Sequence, residues 1–157
     1  QMDRFMLKVV IGYPTIEEEK KIMRGNLSGV LPETSPVSSA EEIMKAREVV
    51  HQVYIDEKIE QYIADMVFAT RYPDRYGLGE LDAMITFGAS PRASINLAKA
   101  SRAYAFIKRR GYVVPEDVRA VAHDVLRHRI GLSYEAEAGN VTAEEIVSRI
   151  INKVEVP

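Results

Sequence analysis

In the stretch Gly88-Ala89-Ser90-Pro91-Arg92-Ala93-Ser94 an arginine falls where a helix least tolerates a cation. Ser90 can cap the helix with its hydroxyl, and Pro91 suits the first helical position, whose N–H is unpaired in any case. Arg92 then lies in the first turn, beside the positive end of the helix dipole, at a cost of about 0.3–1 kcal/mol unless an anion compensates. The other predicted helix starts carry acids instead. Thr15 precedes Glu17, Glu18 and Glu19; Ser39 precedes Glu41 and Glu42; Pro115 precedes Glu116 and Asp117; Thr142 precedes Glu144 and Glu145. Open backbone donors, small neighbours and one guanidinium suit an anion supplied from outside the stretch, and phosphate is the usual guest. A loop carboxylate, Glu80 or Asp82, is the alternative partner, and local sequence leaves the two open.

Other chemistries lack their parts. His123 and His128 are five apart, roughly 140° around a helix axis, so they cannot clasp one metal ion as an i, i+4 pair does. His51 belongs to another element, and the three read as surface or partly packed histidines. There is no Ser-His-Asp context, no paired-carboxylate motif and no glycine-rich loop ending in Lys-Ser or Lys-Thr. This chain alone is therefore not expected to cleave a phosphoanhydride. Lys99, Arg102, Lys108, Arg109 and Arg110 are spread around one helix, and the net charge of the 157 residues is −2. That argues for a solvated face and against a nucleic-acid interface.

The elements that must position Arg92 read mainly as helices. With 46% hydrophobic and 28% charged residues the chain has enough apolar material for one or two compact helical units. The absence of cysteine excludes disulfides and thiolate metal sites and fits a cytoplasmic setting. No apolar run approaches the length of a membrane span.

Helices are predicted over residues 16–27, 40–53 and from Asp56 through Thr70. Ile43, Ala46, Val50 and Val53 form the expected core stripe of the second helix, and Ile59, Tyr62, Ile63, Met66, Val67 and Thr70 that of the third. The helix that opens at Pro91 is expected to reach about Arg110 before Gly111 stops it, with Ala93, Leu97, Ala100, Tyr104 and Ile107 facing inward. Val118, Val121, Ala122, Val125 and Leu126 mark the next helix. Ile146, Val147, Ile150, Ile151 and Val154 mark the last. A loop with a short helix near residues 81–85 is expected from Arg71 to Thr86.

At the front, Phe5-Met6-Leu7-Lys8-Val9-Val10-Ile11 is stopped by Gly12 and Pro14 and reads as a strand buried on both faces. Nothing later offers enough sheet to receive it, so the chain is expected to be the back part of a larger protein. Gly25, Gly29, Pro32 and Pro36 mark a boundary. The resulting division is a core remnant over 1–30, a linker over 31–37 and a helical domain over 38–157.

Three segments resemble the MoxR family of AAA+ ATPases. Gln1-Met2-Asp3-Arg4-Phe5 is similar to the end of that family's proline-glutamate-alanine-glutamine-leucine-aspartate-arginine-phenylalanine segment. Gly88-Ala89-Ser90-Pro91-Arg92-Ala93 is similar to its sensor 2 motif. Val113-Val114-Pro115-Glu116-Asp117-Val118, with Val125-Leu126-Arg127-His128-Arg129, resembles its downstream lid. The long Arg71 to Phe87 segment departs from the pattern.

The resemblance implies a mainly α chain: a helical-bundle lid preceded by one strand and one helix from a truncated αβα core. It implies Arg92 as the sensor 2 arginine, with Ser90 and Pro91 beside the bound ATP, and Arg4 as an arginine finger reaching the neighbouring subunit of a ring, usually a hexamer. Mg²⁺ would be held by the upstream core. Family members act as chaperone-like remodelling or maturation ATPases, often with von Willebrand factor A domain partners. A guanidinium suits both arginine roles because it stays charged and can meet phosphate oxygens in bidentate fashion. The competing expectation is a stand-alone helical module that binds a protein or nucleic acid.

Overall fold

The computed structural model describes residues 1–29 and 33–157. Seven α-helices and one two-stranded sheet occur among the described residues. The predicted helix starts hold. Thr15 opens α1 (Ile16–Leu27) and Ser39 opens α2 (Ala40–Gln52), each in a reciprocal capping box with a glutamate three residues on. Asp56 caps α3 (Glu57–Ala69), Ser90 caps α4 (Pro91–Ile107), and Thr142 caps α7 (Ala143–Lys153). Pro115 is the first residue of α5 (Pro115–Leu126), where the Asp117 carboxylate accepts the Val114 N–H at 2.9 Å.

The core lies among α3, α4, α5 and α7. Met66, Leu97, Val118, Leu126, Ile146 and Ile150 are fully enclosed there, each burial worth about 1.5–3 kcal/mol relative to exposure. All five expected apolar positions from Ile146 to Val154 are buried, as are all six expected along α3. On α4 the inward face turns instead from Ala100 to Ser101 and Ala105, and Ile107 is left exposed. The helix also ends earlier than expected. Arg109, not Gly111, takes the left-handed conformation that reverses the chain, with φ 59°.

Between α3 and α4 the long connection forms two 3-10 turns, Pro73–Tyr76 and Gly79–Met84, then β1 (Ile85–Phe87). This strand pairs antiparallel with β2 (Gly131–Leu132), Ile85 opposite Leu132 and Phe87 opposite Gly131. Short α6 (Tyr134–Ala138) follows. The sheet ties the approach to α4 to the segment that leaves α5.

Two expectations are corrected. The stripe on α2 is not a core face: no residue of the helix is buried, Ile43 is 57% exposed, and only Val53, just past its end, is enclosed. Its main helical neighbour among the described residues is α4, and most of its surface is exposed. The run Phe5–Ile11 is not a strand. Val9, Val10 and Ile11 are exposed, and no described strand lies beside them to receive their backbone groups. Helix α1 likewise buries no residue. The linker expected over 31–37 begins on residues 31 and 32, outside the described residues.

Candidate functional site

The start of α4 is fixed from below by α3. Thr70, the last residue of the α3 stripe, donates its hydroxyl to Val67 O at 2.6 Å and accepts the Ala89 N–H at 2.9 Å. Arg71 Nε donates to Ala89 O at 2.6 Å. Gly88 approaches the same backbone so closely that an added Cβ would lie 2.3 Å from Thr70 O. The glycine is thus required for this close contact. The Ser90 hydroxyl accepts the Arg92 N–H at 3.2 Å, and the first turn of α4 holds no acid.

The compensating anion comes from the other end of the chain. Asp3 sits in a 3-10 turn, Met2–Arg4, and Ser90 Oγ donates to its carboxylate at 2.9–3.0 Å. Arg92 Nη1 lies 3.4 Å from Asp3 Oδ2, with the Arg92 side chain 59% exposed. Neither Glu80 nor Asp82 forms an ion pair with it. One long contact at an exposed site leaves the guanidinium available to solvent and to a stronger anion.

Arg129 is the residue that sequence reasoning passed over. Its side chain is fully buried, and its five N–H groups all find oxygen. Nε donates to Asp3 Oδ1 at 3.2 Å, Nη2 to Asp3 O at 3.0 Å and to Phe5 O, and Nη1 to Met6 O at 3.3 Å and to Val125 O. Burying a cation requires this degree of pairing. Its two neighbours do related work. Arg127 Nη1 donates to Lys8 O at 2.7 Å, and His128 Nε2 meets Phe5 O at 3.0 Å. His128 Nδ1 is buried with no partner among the described residues, and the Phe5 carbonyl at Nε2 calls for the ring proton there. Arg127 also ion-pairs with Asp124 and Glu144 at 2.8 Å each.

These neighbours set the titrations. Partial burial raises the Asp3 carboxyl, but the Ser90 hydroxyl and the Arg129 and Arg92 guanidiniums outweigh it, and the group is held below its ordinary value. Burial pushes the His128 imidazole down against the pull of the Phe5 carbonyl. Burial likewise lowers Arg129, with Asp3 opposing.

Arg4 is exposed and forms no ion pair among the described residues. Pro91 is exposed beside Arg92. Two guanidiniums thus share one carboxylate, with a third cation on the same turn, so the cluster carries an excess of positive charge. Its exposed cations, Arg92 and Arg4, suit an anion from outside the cluster, whereas every Arg129 donor is already used. No group of three or more His, Cys, Asp or Glu among the described residues could hold a metal. An open groove of about 700 Å³, lined by Val49, Val53, Phe106, Ile107 and Arg109, contains neither Ser90 nor Arg92. The charge chemistry lies outside that groove.

A helical lid is what the comparisons with known proteins also find. Residues 81–150 match the AAA lid domain. Across its whole length the chain is 35% identical to the chaperone MoxR1 of Mycobacterium tuberculosis and, again at 35%, to YeaC of Bacillus subtilis. It aligns with a TM-score of 0.94 and 39% identity, over 99% of its residues, with a crystal structure from Cytophaga hutchinsonii whose name carries an inferred ATPase activity. The fold and its matches define an AAA+ lid. More narrowly, the chain belongs to the MoxR family of AAA+ ATPases, of which it represents the lid-bearing portion. It spans 41% and 47% of the length of the two relatives and 48% of the solved chain.

Proposed function

We propose that this chain works within a full-length ring ATPase, with Arg92 as the sensor 2 arginine that meets the γ-phosphate of ATP in its own subunit. Arg4 is then the arginine finger for the neighbouring subunit's nucleotide. The observation that carries this reading is the Arg92 guanidinium, exposed at the start of α4 and held by a single 3.4 Å ion pair. A phosphate oxygen can replace Asp3 there at little cost, since exposed pairs contribute only about 0–1 kcal/mol. Ser90 and Pro91 shape the turn around it, and Ser90 keeps its capping bond whichever anion is present.

The reaction class is phosphoanhydride hydrolysis, in which positioned arginines stabilise charge as it builds on the transferred group. ATP, Mg²⁺ and the attacking water are held by the nucleotide-binding core, whose phosphate-binding loop is not among these residues. By the family resemblance the assembly is a cytoplasmic hexamer with a chaperone-like role, working with von Willebrand factor A domain proteins. Residues 1–30 then belong to that core and 38–157 to the lid.

The test is Arg92→Ala in the full-length protein. ATP turnover is expected to fall on the order of a hundredfold or more. Turnover equal to that of the unaltered protein would end the assignment.

A further inference from the structure

The turn that carries Arg4 is not held by hydrophobic burial. No residue from 1 to 15 is buried, and Phe5, Met6, Val9 and Val10 are all exposed. What fixes the turn against the lid is a set of polar contacts from three consecutive residues after α5: Arg127 to Lys8 O, His128 to Phe5 O, and Arg129 to the carbonyls of Asp3, Phe5 and Met6. Arg129 makes most of them, while its remaining two donors go to the Asp3 carboxylate and to Val125 O. A rigid, fully used fork of this kind cannot be reproduced by lysine, which is a point charge with three donors.

We propose that Arg129 is a positioning residue for Arg4. By gripping the main chain on both sides of Arg4 it sets the height and direction from which that side chain leaves the lid, and through Asp3 it ties the same turn to Ser90 and Arg92. The lid's own sensor and the finger offered to the next subunit are thereby held in one frame. This rests on the assignment of Arg4 as the finger.

In a ring, finger and sensor defects differ in which subunit they harm. An altered finger damages the neighbour's nucleotide site, and an altered sensor damages its own. Arg129→Lys in the full-length protein is expected to lower kcat for ATP by a factor on the order of ten to a hundred, as small misplacements of catalytic groups do, while KM changes less than about twofold because Arg92 is intact. Rings assembled from equal amounts of Arg129→Lys and Arg92→Ala chains should recover about a quarter of the normal turnover, since random mixing gives that share of interfaces both a sound sensor and a sound finger. Rings mixing Arg129→Lys with Arg4→Ala should recover nothing, because every finger is impaired.

Recovery in the second mixture would overturn the proposal, because Arg129 would then act through something other than Arg4. So would normal kcat for the Arg129→Lys protein. Should that variant fail to assemble, His128→Ala releases Phe5 O without emptying the buried site. It is expected to lower kcat to a smaller degree and likewise to give no recovery with Arg4→Ala; recovery with it counts against the proposal equally. An Arg4→Ala protein of normal turnover removes the finger assignment and this inference together. A crippled Arg4→Ala protein beside a normal Arg129→Lys protein removes the inference alone.

Discussion

Asp3 Oδ1 and Arg129 Nε, 126 positions apart in the chain, meet at 3.2 Å, with the guanidinium wholly enclosed and the carboxylate about one-third exposed. The carboxylate's other oxygen faces Arg92. One acid therefore joins the amino-terminal turn, the start of α4 and the end of α5.

Arg92 should be separable from folding. Its single exposed contact contributes less than about 1 kcal/mol, so Arg92→Ala should leave the thermal midpoint of the protein almost unchanged while ATP turnover collapses. A midpoint that falls by many degrees would identify Arg92 as a structural residue instead.

Gly88→Ala tests the seating of α4. Its Cβ would meet Thr70 O at 2.3 Å, Thr70 C at 2.6 Å and Arg71 Cγ at 2.8 Å, two of them backbone atoms that cannot step aside. Overpacking of this kind costs about 1–3 kcal/mol. Thermal melts should show the loss, and nucleotide turnover should drop with it as Ser90 and Arg92 shift. A variant as stable as the parent would contradict the contact.

The docking of residues 3–8 should loosen in acid in two steps. His128 has a lowered pKa in the folded chain, so its contribution is complete above its ordinary 6.5 and disappears as pH falls through the lowered value. Asp3 behaves likewise below its ordinary 3.8. The Lys8 amide, which donates to Asp124 O at 2.8 Å, is a reporter within the docked segment. Its NMR shift should titrate twice. His128→Gln should abolish the upper step, and Asp3→Asn the lower one. A shift that is flat from neutrality to pH 3 would refute the arrangement.

Asp117 is expected to matter to stability rather than to activity. It is 1% exposed, pairs with Arg110 through both oxygens and accepts the Val114 N–H that opens α5. Losing a helix cap costs about 1 kcal/mol, and a chain of this size responds with a midpoint lower by roughly 3 °C. Asp117→Ala should show at least that in calorimetry, with KM for ATP unaltered.

Local signals were legible wherever local physics decides. Capping residues at Thr15, Ser39, Asp56, Ser90 and Thr142 marked helix starts because each side chain bonds the turn that follows it. The stripe on α3 was readable because that helix is enclosed, and the similar stripe on α2 misled because periodicity does not say whether a partner exists. The opening of α4 showed Arg92 in need of an anion, and its partner Asp3 was too distant in sequence for that reading to find. Arg129 was hidden for another reason. In Arg127-His128-Arg129 it looks like one of several solvated charges, and only the docked amino-terminal turn buries it. The one available hint was its place between the Val125-Leu126 core pair and Ile130, where the chain has not yet left the interior.

Apart from the Asp3 carboxylate, what Arg127, His128 and Arg129 bind in the amino-terminal segment is peptide oxygen, so these bonds do not depend on the side chains of residues 5, 6 and 8. Lineages that exchange the side chains at positions 6 and 8 would keep these bonds, since each is made to a peptide oxygen. Proline at position 8, which would delete the amide shared with Asp124, is the substitution such lineages should avoid.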